Sequence, residues 1–138
     1  MKAGMGGQDR TERCDVAIIG AGIAGSALAA LLAPAGLEVV VLEAAALAQG
    51  LPPEARDIAT VDPRVSALSL ASQRLLTEAG AWQLLPQGVP SAYGCMRVWE
   101  EDGSGRIVFE AAEIAQPALG HIVENRWIVA TLLARLAA

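Results

Sequence analysis

Hydrophobic residues in this chain fall into short blocks separated by glycine, proline and polar runs, and the period within each block predicts an element. Val16-Ala17-Ile18-Ile19 is a continuous apolar run, the pattern of a parallel strand buried on both faces. Residues 20–25 read as a turn, and a helix is expected over 23–35, ended by Pro34 and Gly36. Residues 37–42 (Leu-Glu-Val-Val-Val-Leu) form a second expected strand, closing on Glu43. Two parallel strands joined by a helix make a βαβ unit over 15–43. Residues 44–62 contain Gly50, Pro52 and Pro53 with no steady period and read as a loop. Ala71, Leu75, Leu76, Ala79 and Trp82 recur at helical spacing, predicting a helix over 69–79 that Gly80 stops. Strands at 96–101 and 106–111, joined through Asp102-Gly103-Ser104-Gly105, predict a hairpin over 96–111. A last helix, 125–138, takes Asn125 as its N-cap and lines Ile128, Leu132, Leu133 and Leu136 along one face. The polar, glycine-rich residues 1–13 are expected to be a flexible tail, leaving 14–138 as an α/β domain.

Residues 16–37 carry no charge, enough length to cross a bilayer. Gly20-Ala21-Gly22 weakens any continuous helix there, Asp15 and Glu38 bracket the stretch, and no Lys or Arg cluster sets an orientation. The expectation is strand, turn and helix rather than a span. Asp9, Glu12 and Asp15 in the leader argue against an export signal. With 54% hydrophobic and 18% charged residues in 138, the chain is too apolar to be disordered. A net charge of −5 disfavours a broad nucleic-acid surface. Cys14 and Cys95 form neither a CxxC pair nor a zinc spacing, so a reducing cytoplasm is the expected location, with Cys14 a small buried hydrophobe.

The chemistry-bearing signal is Gly20-Ala21-Gly22-Ile23-Ala24-Gly25, placed between the first strand and the helix. Gly20 permits a tight turn, Gly22 lets a pyrophosphate approach the backbone, and Gly25 lets helix and strand pack closely. The pyrophosphate rests on the free N–H groups of the helix start. Glu43 stands eighteen positions past Gly25, where a carboxylate accepts hydrogen bonds from the adenosine ribose and repels a 2′-phosphate. The motif alone fits FAD or NAD. It therefore leaves open a small NAD-binding dehydrogenase domain, or a non-catalytic interaction module that keeps the βαβ unit as scaffold. No Ser-His-Asp or metal-ligand set can be assembled. His121, the single histidine, reads as a hydrogen-bonded loop residue, and Glu100-Glu101-Asp102 as a solvated hairpin end. Trp82, Trp99 and Trp127 read as core or interface anchors.

Three further segments carry a resemblance. Asp62-Pro63-Arg64-Val65-Ser66-Ala67-Leu68 with the helix ending Ala79-Gly80-Ala81-Trp82, then Met96-Arg97-Val98-Trp99-Glu100, then Gly120-His121-Ile122-Val123-Glu124-Asn125-Arg126, resemble the flavin hydroxylases of ubiquinone biosynthesis. These are class A flavoprotein monooxygenases with the para-hydroxybenzoate hydroxylase fold, and the resemblance runs from Asp15 to the C-terminus. It implies a Rossmann-like FAD-binding domain with the start of a hairpin-containing substrate region. Gly20, Gly22, Ala24 and Gly25 would then hold the FAD pyrophosphate and Glu43 the ribose. Arg64 matches an arginine near the FAD phosphates, and Asn125 or Arg126 a polar position that also approaches FAD.

The resemblance further implies aromatic-ring hydroxylation of a polyprenylated phenol or quinol through a C4a-hydroperoxyflavin, with NAD(P)H as reductant. It implies contact with a membrane surface, peripheral to the inner membrane, and partners in a biosynthetic complex. Family members are several-fold longer, so the chain is expected to hold their N-terminal part. A helix N-terminus contributes about 0.3–1 kcal/mol towards an anion, whereas micromolar affinity needs about 8 kcal/mol. Alone, the chain is therefore expected to lack hydroxylase activity.

Overall fold

Three consecutive valines suit extended backbone, and they place β2 (Val39–Leu42) beside β1 (Val16–Ile19) in a parallel pair, registered from Val16↔Val39 to Ile19↔Leu42. The computed structural model describes residues 13–47, 50–54 and 57–137. The expected tail lies outside these except for Arg13, and so does Ala138. At one end of the pair Asp15 and Val16 N–H donate to Glu38 C=O, and at the other Gly20 N–H donates to Leu42 C=O at 2.7 Å. Between the strands in sequence runs α1 (Ile23–Leu32), continued by a 3-10 turn over Ala33–Ala35 and ended by Gly36 at φ +70°.

After a capped 3-10 turn at Ile58–Thr60 come β3 (Val65–Ser69) and α2 (Leu70–Glu78), the latter capped by Ser69 Oγ, which accepts from Ser72 N–H. Then follow β4 (Ser91–Tyr93), the β5 (Cys95–Trp99) and β6 (Arg106–Glu110) hairpin, β7 (Gly120–Glu124) and α3 (Asn125–Leu136). β7 is the middle strand of an antiparallel sheet ordered β3-β7-β4. Gly120 is needed there, because a Cβ would meet Leu68 C=O, backbone that cannot move aside. Leu68, Leu76, Ala79, Val123, Trp127, Ile128 and Leu132 are buried together with Ala30 of α1, so the core lies where the three helices meet this sheet.

Several expectations need correction. β1 is not buried on both faces: Ile18 is buried but Ile19 is 89% exposed, and the elements that chiefly pack against the strand are α1 and β2. β2 starts at Val39, two residues later than expected, and α1 hands over to its 3-10 turn after Leu32. Asn125 is the first residue of α3 rather than its N-cap; Glu124 takes that position, with extended backbone. Cys14 is exposed, as is Cys95. Of the tryptophans only Trp127 is a core residue; Trp82 is half-buried against the core, and Trp99 is 69% exposed on the hairpin. His121 belongs to β7, not a loop, and meets the Trp82 ring edge-on at 5.2 Å. Its Nδ1 is buried with no hydrogen-bond partner. Three strands, β3, β4 and β7, had no counterpart in the sequence reading. Among the described residues no helix is long and apolar enough to cross a membrane.

Candidate cofactor site

The turn between β1 and α1 works because its glycines meet different demands. Gly20 takes φ +98°, the left-handed region that side chains avoid. A Cβ on Gly25 would collide with Gly20 C=O and lie 3.2 Å from the Ile18 side chain. Helix and strand can therefore approach this closely only with glycine there. Around Gly22 the space is open, with no atom within 4 Å of a Cβ position. Gly22 is the N-cap of α1 and supplies no capping side chain. The first intrahelical bond is Ser26 N–H to Gly22 C=O at 2.9 Å. The earlier N–H groups of the first turn have no intrahelical acceptor, and the positive end of the helix dipole lies behind them. Ala24 is exposed on that turn. Ser26, wholly buried, donates its hydroxyl to Ala21 C=O at 2.9 Å and ties the turn to the helix.

Glu43 follows β2 directly and reaches back to the turn. Its Oε2 accepts from Ala21 N–H at 2.8 Å and its Oε1 from Ala45 N–H at 3.0 Å. These two amides, Ala45 first, hold its carboxyl below the usual carboxylate range. The acid at the end of β2 thus lies against the glycine turn.

Arg64, Asn125 and Arg126 form a second group where β3 meets the start of α3. Asn125 N–H donates to Arg64 C=O at 2.8 Å, and Ser66 Oγ–H donates to Asn125 Oδ1 at 2.6 Å. Arg64 is exposed, and among the described residues its guanidinium has no hydrogen-bond or ion-pair partner. Arg126 is more committed: its Nη2 pairs with Glu124 Oε2 at 2.8 Å and donates to Thr60 C=O at 3.1 Å. Glu124 Oε2 also accepts from Asp62 N–H at 2.6 Å. No hydrogen bond among the described residues joins this group to the glycine turn. Glu124, Asp62 and Ser66 were quoted within motifs but given no task by the sequence. The one available signal was an acid flanking Asn125 and Arg126.

Other features are less specific. The acidic run at 100–102 is exposed at the hairpin end, as expected. Among the described residues no group of three His, Cys, Asp or Glu could hold a metal ion. An open apolar groove of about 770 Å³, lined by Ala29, Ala33, Leu37, Val39, Leu133 and Leu136, runs along α1, β2 and the end of α3.

Residues 13–108 match the FAD binding domain family. The chain is 40% identical over 122 residues to the ubiquinone hydroxylase UbiL of Rhodospirillum rubrum, covering 88% of this chain and 27% of that protein. It is 37% identical over 111 residues to the 3-demethoxyubiquinol 3-hydroxylase of Escherichia coli, covering 80% and 27% respectively. With the mitochondrial ubiquinone biosynthesis monooxygenase COQ6 of Danio rerio the identity is 32% over 130 residues, covering 91% and 26%. The chain thus spans about a quarter of the length of the curated relatives it matches. These matches favour FAD over the NAD-binding alternative that the glycine motif left open.

Proposed function

The chain belongs to the FAD-binding domain family, and we propose that residues 14–138 are the N-terminal, adenosine-side part of an FAD-dependent aromatic-ring hydroxylase. The observation that carries this reading is the Glu43 carboxylate lying against an uncapped helix start with open space at Gly22. A strand, an uncapped helix and a parallel strand followed by an acid support the reading of a Rossmann-like dinucleotide half-site. The residues present suit FAD: free N–H groups for the pyrophosphate, a carboxylate for ribose hydroxyls, and an exposed arginine for a phosphate.

In this reading Gly20, Gly22, Ala24 and Gly25 present backbone to the pyrophosphate, where any larger side chain at Gly22 would occupy its place. Glu43 holds the ribose hydroxyls through its outer oxygen lone pairs while keeping the Ala21 amide fixed. Arg64 offers a planar pair of donors to a phosphate, and Asn125 and Arg126 border the cofactor from the start of α3. The chemistry FAD supplies when bound is two-electron coupling of NAD(P)H oxidation to oxygen. The names of the relatives support a polyprenylated phenol or quinol as substrate in the longer protein. Such a substrate resides in a membrane, so the reading includes peripheral contact without a spanning helix.

Flavin-fluorescence titration of the full-length protein with FAD, with NAD titrated in parallel, tests the cofactor. Saturable FAD binding that Glu43→Ala weakens is expected. Binding of NAD without FAD would overturn the assignment.

A further inference from the structure

The β3-β7 ladder ends where Val65 faces Glu124. Beyond it Pro63 has no N–H to donate, yet the segment carrying Arg64 does not leave the sheet. Side chains and backbone of Glu124, Asn125 and Arg126 take over. Glu124 Oε2 accepts from Asp62 N–H at 2.6 Å and from Arg126 Nη2 at 2.8 Å. Arg126 Nη2 reaches on to Thr60 C=O at 3.1 Å. Asn125 N–H holds Arg64 C=O, and Asn125 Oδ1 holds the Ser66 hydroxyl. Asp62 Oδ1 closes the turn from inside by accepting from Arg64 N–H at 2.8 Å. The Glu124 side chain is only 13% exposed, so its charge-assisted bonds are little screened.

We propose that Glu124 is a positioning residue for Arg64: its carboxylate clamps the Asp62 backbone and the Arg126 guanidinium, and so fixes where the Arg64 side chain leaves the protein. This rests on the reading of Arg64 as an FAD phosphate ligand. One carboxylate oxygen, Oε2, serves both donors; the amide oxygen of glutamine offers the same two lone pairs without the charge that strengthens both bonds.

The test is a double-mutant cycle on FAD affinity in the full-length protein, using Glu124→Gln, Arg64→Ala and both together. Arg64→Ala is expected to weaken FAD about 10- to 100-fold, the range of a charge-assisted bond. Glu124→Gln is expected to weaken it about 5-fold in the parent and less than about 2-fold once Arg64 is gone. A purely structural role for Glu124 predicts equal losses in both backgrounds, and that result overturns the proposal. So does unchanged affinity in Glu124→Gln. Should that variant not fold, Ser66→Ala removes an uncharged fastening of the same segment, and its loss must likewise vanish without Arg64. If FAD binds the parent but Arg64→Ala changes nothing, the role given to Arg64 fails, and the positioning proposal with it. Absence of FAD binding in the parent overturns the cofactor reading itself.

Discussion

Gly22 and Gly25 sit three residues apart and answer to opposite constraints. A Cβ at Gly25 has no room against the Gly20 carbonyl, so Gly25→Ala is expected to cost about 1–3 kcal/mol in denaturant unfolding. At Gly22 a side chain meets nothing within 4 Å. Gly22→Val should therefore change stability by less than about 1 kcal/mol while flavin titration shows FAD affinity lost. Equal stability losses at both positions would contradict the geometry. Glu43 supplies a pH-dependent check. The Ala45 and Ala21 amides hold its carboxyl below the usual carboxylate range in the folded state. The folded protein thus binds this proton less readily than the unfolded chain, and the resulting stabilisation is complete at neutral pH. It is lost as pH falls through the carboxylate range and past the lowered value. Thermal melts of Glu43→Gln should accordingly differ from the parent at pH 7 and converge with it under strongly acid conditions. The glycine turn and its acid were legible from the sequence because their spacing is local, and each glycine has a single physical reason to be there.

Elements differ in how far the sequence reveals them. The β5-β6 hairpin was foreseen nearly to its ends, since two apolar runs flank a glycine-rich turn. β3 and β7 were not, because Val-Ser-Ala-Leu-Ser lacks alternation and Gly120 reads as a breaker while the pairing makes it a requirement. Gly120→Ala is expected to cost about 1–3 kcal/mol for that reason. Glu124 escaped notice on related grounds: one of its two partners, the Asp62 amide, lies about sixty residues away, and no local pattern records that bond. The hairpin's cross-strand pairs put Met96 and Phe109, and Val98 and Ile107, on one face, all four exposed. Such a face favours self-association. Val98→Lys is expected to lower light scattering of the concentrated chain and leave its melting temperature unchanged within about 1–2 °C.

At the scale of the whole molecule, the main core cluster lies where the helices meet the antiparallel sheet, while Ile19 and Leu42, paired at the end of the parallel strands, stay exposed. The sequence reading of β1 as doubly buried failed because burial belongs to the neighbours a strand has, which its own residues do not report. Cys14 illustrates the same point: a thiol next to an apolar strand looked internal, yet both cysteines are exposed. Both should titrate with a thiol reagent in the native chain as fast as after denaturation. The placement of β7 also sets an order of events. It is the centre of its sheet and leads into Trp127, Ile128 and Leu132, which are among the most buried residues of the core. On a ribosome β7 therefore emerges after β3, β4 and α2, which it joins, and just ahead of α3. Until residue 132 clears the exit tunnel, α1, α2 and β3 wait with their apolar sides uncovered, which is the interval in which a holding chaperone would find them.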